Sequence, residues 1–520
     1  MRSSSVRLRI LITCGVLVVA GIGGWQLLPS DDVRTDPITV GTTDEVTSLD
    51  PAGAYDAGSW AMYSNVYQSL LTFKPGFTTP VPDAAESCKF LGTKLTTYQC
   101  TLRDDLTFSN GRKVTGEDVK YSFERMLGIK TDVGPQPLFP TLKNVVADGR
   151  KVTFNLSGRD ATFPLKLATG AGSIVDRTQY PAKRLRTGTA VDGSGPYVLK
   201  EYEPGVSARL EPNPAYRGAV SKTGRTVVVK YFKESEELAA AWKSRQVDVT
   251  HRQMPPAFIN SLKDAKKDGT KITEAASAEI RNLNFNVRPG SVMADKAVRQ
   301  AVAAVIDRPA ITTGPYQSTV EPLYSLIPQG FVGHSTAFYD AYPEPSAATA
   351  KKILKAADID TPVKFTLGHR KDATYAAEAA ELKRQLELTG LFEVTVESVD
   401  WQSFQKAYAQ GRFDAYPVGW LPDFPDSDSF TAPLVGTDNT LHNGFSSGTI
   451  DSLISATQQY SDRARATDDF KAIQTEVAKD VPLVPLWQKK DYVLSTEDVA
   501  GSQYLSDGTG IWRLWELGWI

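Results

Sequence analysis

At 520 residues the chain is too long for one hydrophobic core, and its 41% hydrophobic and 10% aromatic residues supply enough apolar area for two or three. Its 58 basic and 60 acidic residues nearly cancel, which excludes the electrostatic footprint of a nucleic-acid or anionic-bilayer binder. Any ligand is read locally.

The first 36 residues read as a membrane segment. Arg2, Arg7 and Arg9 precede ILITCGVLVVAGIGGWQLL, residues 10–28, and a positive start followed by an apolar run directs a chain to a membrane with the charged end inside. Its length is close to the roughly 20 residues that span hydrocarbon and exceeds the about 7–15 of a cleaved signal core, so a retained anchor is preferred to a cleaved one. Cys14 follows Arg9 too closely, and Thr13 is a poor neighbour, for lipoprotein acylation. No comparable apolar run follows, so the remainder is expected outside the cytoplasm, at the cell surface or in the periplasm.

Next come strand signals at ITVGTT, 38–43, and a paired region at 88–108 that ends in the turn SNG. Cys88 and Cys100 flank eleven residues suited to a hairpin; in an oxidising compartment they pair, and in a reducing one they are two buried thiols. Thr115 is placed to cap the helix GEDVKYSFERML, with Asp118 as capping-box partner. KVTFNL at 151–156 and TVVVKYF at 226–232 read as buried strands, and GSGPYVL at 193–199 as a turn entering another. Apolar spacing of three and four predicts helices at 295–307, 347–357, 373–389 and 464–479, with VKFTLGH, FEVTVESV and YVLST as strands between and after them. The mixture is α/β or α+β.

The stretch GWLPDFPDSDSF, 419–430, sets Asp423, Asp426 and Asp428 among Trp420, Phe424 and Phe430. It reads either as a solvated connection of turn formers or as a site. Motifs of catalysis are scarce. His251, His334, His369 and His442 are isolated, without metal-ligand spacing; there is no GxSxG elbow and no phosphate loop, and GSGPY lacks a dinucleotide fingerprint's third glycine. No metal, no cofactor and no enzyme activity are expected, although Asp423 and Asp426 would suit a membrane-anchored hydrolase.

Taken in order, these segments resemble the extracytoplasmic solute-binding proteins of peptide- and nickel-type ABC importers, family 5. The resemblance is carried by SLDPAGAYD (48–56), NVYQSLLTF (65–73), TLRDDLTFSNGRKVTGEDVKYSFER (101–125), GSGPYVL followed by EPNPAYRG, LNFN with DKAVRQAVAAVIDR (283–308), GRFDAYPVGWLPDFPD and KDVPLVPLW (479–487). It spans residues 38–520.

The resemblance implies an α/β, two-lobed periplasmic-binding-protein-like fold of the large three-part type II class, with a hinge and an interlobe cleft. Lobe I would comprise 37–76, 193–284 and 485–520, with 77–192 as its inserted subdomain; lobe II would be 285–484, and 1–36 the anchor or signal segment. It implies a monomeric receptor that binds no nucleic acid, captures short peptides and delivers them to ABC permease subunits. Asp423, three residues after the GW pair, would hold the ligand's α-ammonium, to which a carboxylate at 4 Å contributes about 4 kcal/mol before desolvation. Val418, Gly419 and Trp420 would line the cleft on one side, Tyr55, Asp56 and Ala57 on the other, with Trp401 covering the ligand. Tyr408 and Pro417 stand where some oligopeptide binders have arginines, and Ser427 replaces a usual proline. The partner of a ligand carboxylate is therefore left open, as is other cargo such as a nickel chelate, haem or a sugar oligomer.

Overall fold

A computed structural model describes residues 34–131, 133–220, 224–263, 269–505 and 511–520. The anchor reading of residues 10–28, with Cys14, lies outside them; among the described residues no helix is long and apolar enough to cross a membrane. Pro37–Gly518 and Ile520 form one compact unit, to which everything below refers.

Ile38–Thr42 (β1) buries Ile38 and Val40 completely, as a β-branched strand in mid-sheet should. Ala57–Val66 (α1) is N-capped by Asp56, which accepts a hydrogen bond from the Ser59 amide at 2.8 Å. Ala85–Phe90 (β2) and Thr97–Leu102 (β3) form a hairpin with Cys88 directly opposite Cys100, and a disulfide joins the two. Gly116–Gly128 (α2) begins with the expected capping box, the Asp118 carboxylate accepting from the Thr115 amide at 2.9 Å. Leu142–Asp148 (β4) and Lys151–Leu156 (β5) complete a small antiparallel sheet in the order β2-β3-β5-β4, with Phe123 of α2 edge-on to Phe154 of β5.

The principal sheet continues through Tyr197–Glu203 (β6), Ser207–Pro212 (β7), Val227–Tyr231 (β8), Val249–Thr250 (β9) and Thr270–Phe285 (β10). It then takes in Val363–Arg370 (β11), Ala373–Leu388 (α3) packing against it, Phe392–Val399 (β12), Trp401–Ala409 (α4), Ala415–Trp420 (β13), Asp428–Val435 (α5) and Leu483–Thr496 (β14). The strand order is β12-β11-β13-β10-β14-β9-β1-β8-β7-β6. β10 and β14 pair antiparallel from Thr270 opposite Thr496 to Asn284 opposite Leu483, with register shifts between Ala276 and Ile280 and between Arg281 and Asn282. This ladder joins the two halves of the sheet. One apolar core is drawn from residues 278–487 on the β13 side; another, around Leu238, Trp242, Met254 and Ile259, lies on the β9 side.

Two expectations change. The helix predicted over 295–307 stops at Ala303, because Asp307 starts a new one at Arg308 by accepting from the Ala310 amide at 2.9 Å, and Pro309 has no amide with which to continue the old one. The acidic stretch is no solvated connection: Asp423, Asp426 and Asp428 are all buried, and α5 begins at Asp428.

The disulfide closes a short loop, so removing it with Cys88→Ser and Cys100→Ser is expected to lower unfolding free energy by about 2–3 kcal/mol. Denaturant melting of parent and double variant measures this, and a non-reducing peptide map should show the 88–100 link. Free thiols in protein from its native host would refute an oxidising compartment.

Candidate ligand-binding cleft

The loops after β1, β11 and β13 meet the first turns of α1 and α4, where the carboxyl ends of strands leave a crevice in an open α/β sheet. The cavity there encloses about 1530 Å³, counting the space open to solvent. Val418, Gly419, Trp420, Asp423, Trp401, Tyr55, Asp56 and Ala57 all line it.

Asp423 is only 6% exposed, and its carboxylate accepts from Tyr55 Oη across the cavity at 2.5 Å. Two contacts pin its loop: the Asp423 amide donates to Ser429 Oγ at 2.7 Å, and the Trp420 indole donates to the Ser429 carbonyl at 2.7 Å. Among the described residues no cation stands within ion-pair distance of Asp423; Lys166, the cation acting on it, is bonded to Asp160 at 2.8 Å. Burial therefore pushes the Asp423 carboxyl up to about 8, against the hydrogen bonds from Tyr55 and Ser429. Tyr55 is itself held by aromatic contacts, stacked on Trp60 at 5.0 Å and edge-on to Trp420 at 5.9 Å.

Val418–Trp420 pairs with β10 along one edge, Asn282 opposite Val418, Arg281 opposite Gly419 and Ile280 opposite Trp420. On the other edge β11 meets β13 only at Leu367 and Ala415. Beyond Ala415 that edge makes no further ladder pair among the described residues, and Val418, Gly419 and Trp420 line the cavity. Gly419 keeps the approach clear, since a Cβ there would stand 3.2 Å from Glu279 Oε1.

The other expected residues divide. Trp401 opens α4 with the Arg370 guanidinium 5.5 Å above its ring. Asp56 faces the cavity, but its carboxylate is occupied by Thr47 Oγ1 at 2.5 Å, Ser59 Oγ at 3.1 Å and the α1 cap; burial pushes it up to about 6. Asp426 does not line the cavity and is gripped twice by Arg463, at 2.7 and 2.9 Å. The pairing of Asp423 with Asp426 that a hydrolase would use is absent from this geometry.

Several lining groups carry no signature in the sequence. Trp60 is one. On the cleft floor Arg252 bonds Asp44 at 2.8 Å and Glu279 at 3.0 Å, while Lys489 reaches Glu279 at 3.2 Å. Burial alone would raise Glu279; Lys489 and Arg252 hold it down at about 2. Arg370 donates to the Thr43 carbonyl at 3.0 Å and makes no ion pair among the described residues. Tyr408, at one of the positions where some oligopeptide binders have an arginine, stacks flat on Tyr416 at 5.0 Å.

Comparison with known proteins decides the family: residues 79–441 match the bacterial extracellular solute-binding proteins, family 5, middle region. The chain belongs to this family. It is 26% identical over 483 residues, 90% of this chain and 92% of the relative, to the probable D,D-dipeptide-binding periplasmic protein DdpA of Escherichia coli K12. The structure superposes on the E. coli murein tripeptide binding protein MppA with a TM-score of 0.83 at 19% identity, covering 94% of this chain and 99% of that one. Helicobacter pylori DppA in complex with the peptide STSA gives 0.81 at 20% identity, with 93% and 98% covered. This family 5 protein therefore has the two-lobed α/β fold of solute-binding receptors, with the cavity between its lobes.

Proposed function

We propose that this family 5 protein is the extracytoplasmic receptor of an ABC importer, capturing short peptides between its lobes and presenting them to the membrane permease. The observation that carries the reading is the pairing, in one cavity, of a buried carboxylate lacking a cation with an unpaired strand edge. A peptide's α-ammonium supplies the cation and displaces Tyr55 Oη from Asp423, while its main chain pairs with Val418–Trp420. Main-chain pairing ignores side-chain identity. Trp401, Trp420 and Tyr55 wall the ligand, and Arg370 is the partner of its carboxylate that the sequence had left open.

In this reading lobe I comprises 37–76, 193–284 and 485–520 with 77–192 inserted, lobe II is 285–484, and the β10–β14 ladder is the hinge on which they close. The relatives' names place them in the periplasm; here residues 10–28 anchor a monomeric receptor outside the cytoplasm. Native mass spectrometry of freshly purified protein, followed by calorimetry with di- to pentapeptides, tests the proposal. Retained or added peptide should be recovered intact. Binding of no peptide in the panel, or peptide returned cleaved, would sink it.

A further inference from the structure

Six carboxylates line the cavity: Asp44, Glu45, Asp56, Glu279, Asp372 and Asp423. Five are engaged. Asp44 and Glu279 pair with Arg252, Asp56 caps α1, Asp372 caps α3 and accepts from Ser235 Oγ at 3.0 Å, and Asp423 takes the Tyr55 hydroxyl. Glu45 alone makes neither a side-chain hydrogen bond nor an ion pair among the described residues. Of the cavity's cations, Arg252 and Lys489 pair with Glu279, and Arg281 with Glu378 at 2.7 Å. Arg370 is left. Among the described residues Glu45 is thus the one lining carboxylate with neither a side-chain hydrogen bond nor an ion pair, and Arg370 the one lining Arg or Lys outside an ion pair; the two act on each other electrostatically from beyond ion-pair distance.

Glu45 is held in place by its backbone. The α1 first turn passes so close that a Cβ on Gly58 would lie 2.1 Å from the Glu45 carbonyl oxygen, and the Thr47–Asp56 bond ties the same loop to α1. The carboxylate therefore does not retreat from the cleft by moving the chain. Burial raises its pKa, with Arg370 and Lys233 acting in the opposite sense and Asp400 and Asp44 reinforcing the rise. A half-buried acid that lacks a partner, in a cavity that excludes water on closing, is costly unless the cargo supplies a cation.

Resting on the peptide reading, we infer that Glu45 is a specificity residue that selects peptides bearing a second cation, an amino or guanidinium side chain close to the carboxylate held by Arg370. Such a cargo carries two cations and one carboxylate, matching Asp423, Glu45 and Arg370 with no charge left over. A neutral side chain leaves Glu45 desolvated and alone. An acidic one faces it directly.

Calorimetry on the full chain with Ala-Lys, Ala-norleucine and Ala-Glu, and with the same residues closing a tripeptide, tests this. The lysine peptide is expected to bind roughly tenfold more tightly than its norleucine counterpart, with the glutamate peptide weakest. In Glu45→Gln the lysine-to-norleucine ratio should collapse to about one. A ratio near one in the parent, or one unchanged by Glu45→Gln, overturns the inference while leaving the peptide reading standing. Binding of none of these peptides overturns both, so the two failures are distinguishable.

Discussion

Asp423→Asn is expected to weaken peptide binding roughly 30-fold to several thousandfold, the about 2–5 kcal/mol lost when one partner of a buried charged pair is removed. Asparagine preserves shape and still accepts from Tyr55, so the thermal midpoint without ligand should barely move. The charge is the only thing lost. N-acetylated peptides isolate the cause, since they lack the ammonium: they should bind the parent poorly and lose little more on the variant. Calorimetry with free and acetylated forms of one peptide checks both arms. Equal binding of the two forms by the parent, or unchanged affinity in Asp423→Asn, rules out the ammonium role and returns non-peptide cargo to first place.

Closure of the empty cleft is expected to depend on pH through the same residue. In the structure, where Tyr55 reaches Asp423 across the cavity as a closed cleft requires, burial pushes the carboxyl up to about 8. With the cleft open, the group is solvated and its pKa returns to about 4. Between those values the closed form holds a proton that the open form has released, so closing takes up a proton and raising the pH favours opening. The closed-to-open ratio should fall about tenfold per pH unit until the slope eases near pH 8, several hundredfold (about 450) between pH 5 and pH 8. Bound peptide removes the effect by stabilising the carboxylate, until its own α-amino group loses its proton near about 8. Small-angle scattering of the empty protein across this range, beside Asp423→Asn as a control that cannot titrate, provides the measurement. A radius of gyration that is flat with pH in the parent, or that changes equally in the variant, contradicts the assignment.

Most of the fold was legible because its signals are local. The capping box at Thr115 and Asp118, the short apolar strand run KVTFNL and the three-four spacing of 373–389 each depend on neighbours in the chain, and the structure has α2, β5 and α3 there. The helix expected over 295–307 stops early for a local reason too, since the Asp307 cap and Pro309 signal a new start that apolar periodicity overrides when read alone. The cleft was legible in part. Gly419, Trp420 and Asp423 stand together in a quotable segment, whereas Arg370, Glu45 and Trp60 come from unrelated stretches and meet only through the topology of the sheet. The Glu279 network illustrates why such groups escape: its members, Asp44, Arg252, Glu279 and Lys489, lie up to several hundred residues apart and carry no spacing rule.

The ladder between β10 and β14 has a consequence for how the protein's motion registers in deuterium uptake. A connection made of two long paired strands bends while keeping its ladder amides bonded to one another, so Leu283 and Val484 are expected to exchange slowly whether the lobes are apart or together. At Val418–Trp420 alternate amides bond β10, and the Gly419 amide on the outer edge, without a strand partner among the described residues, gains protection when a cargo backbone lies against it. Uptake at that edge therefore follows occupancy, and the lobe movement itself is to be sought by methods that measure distance.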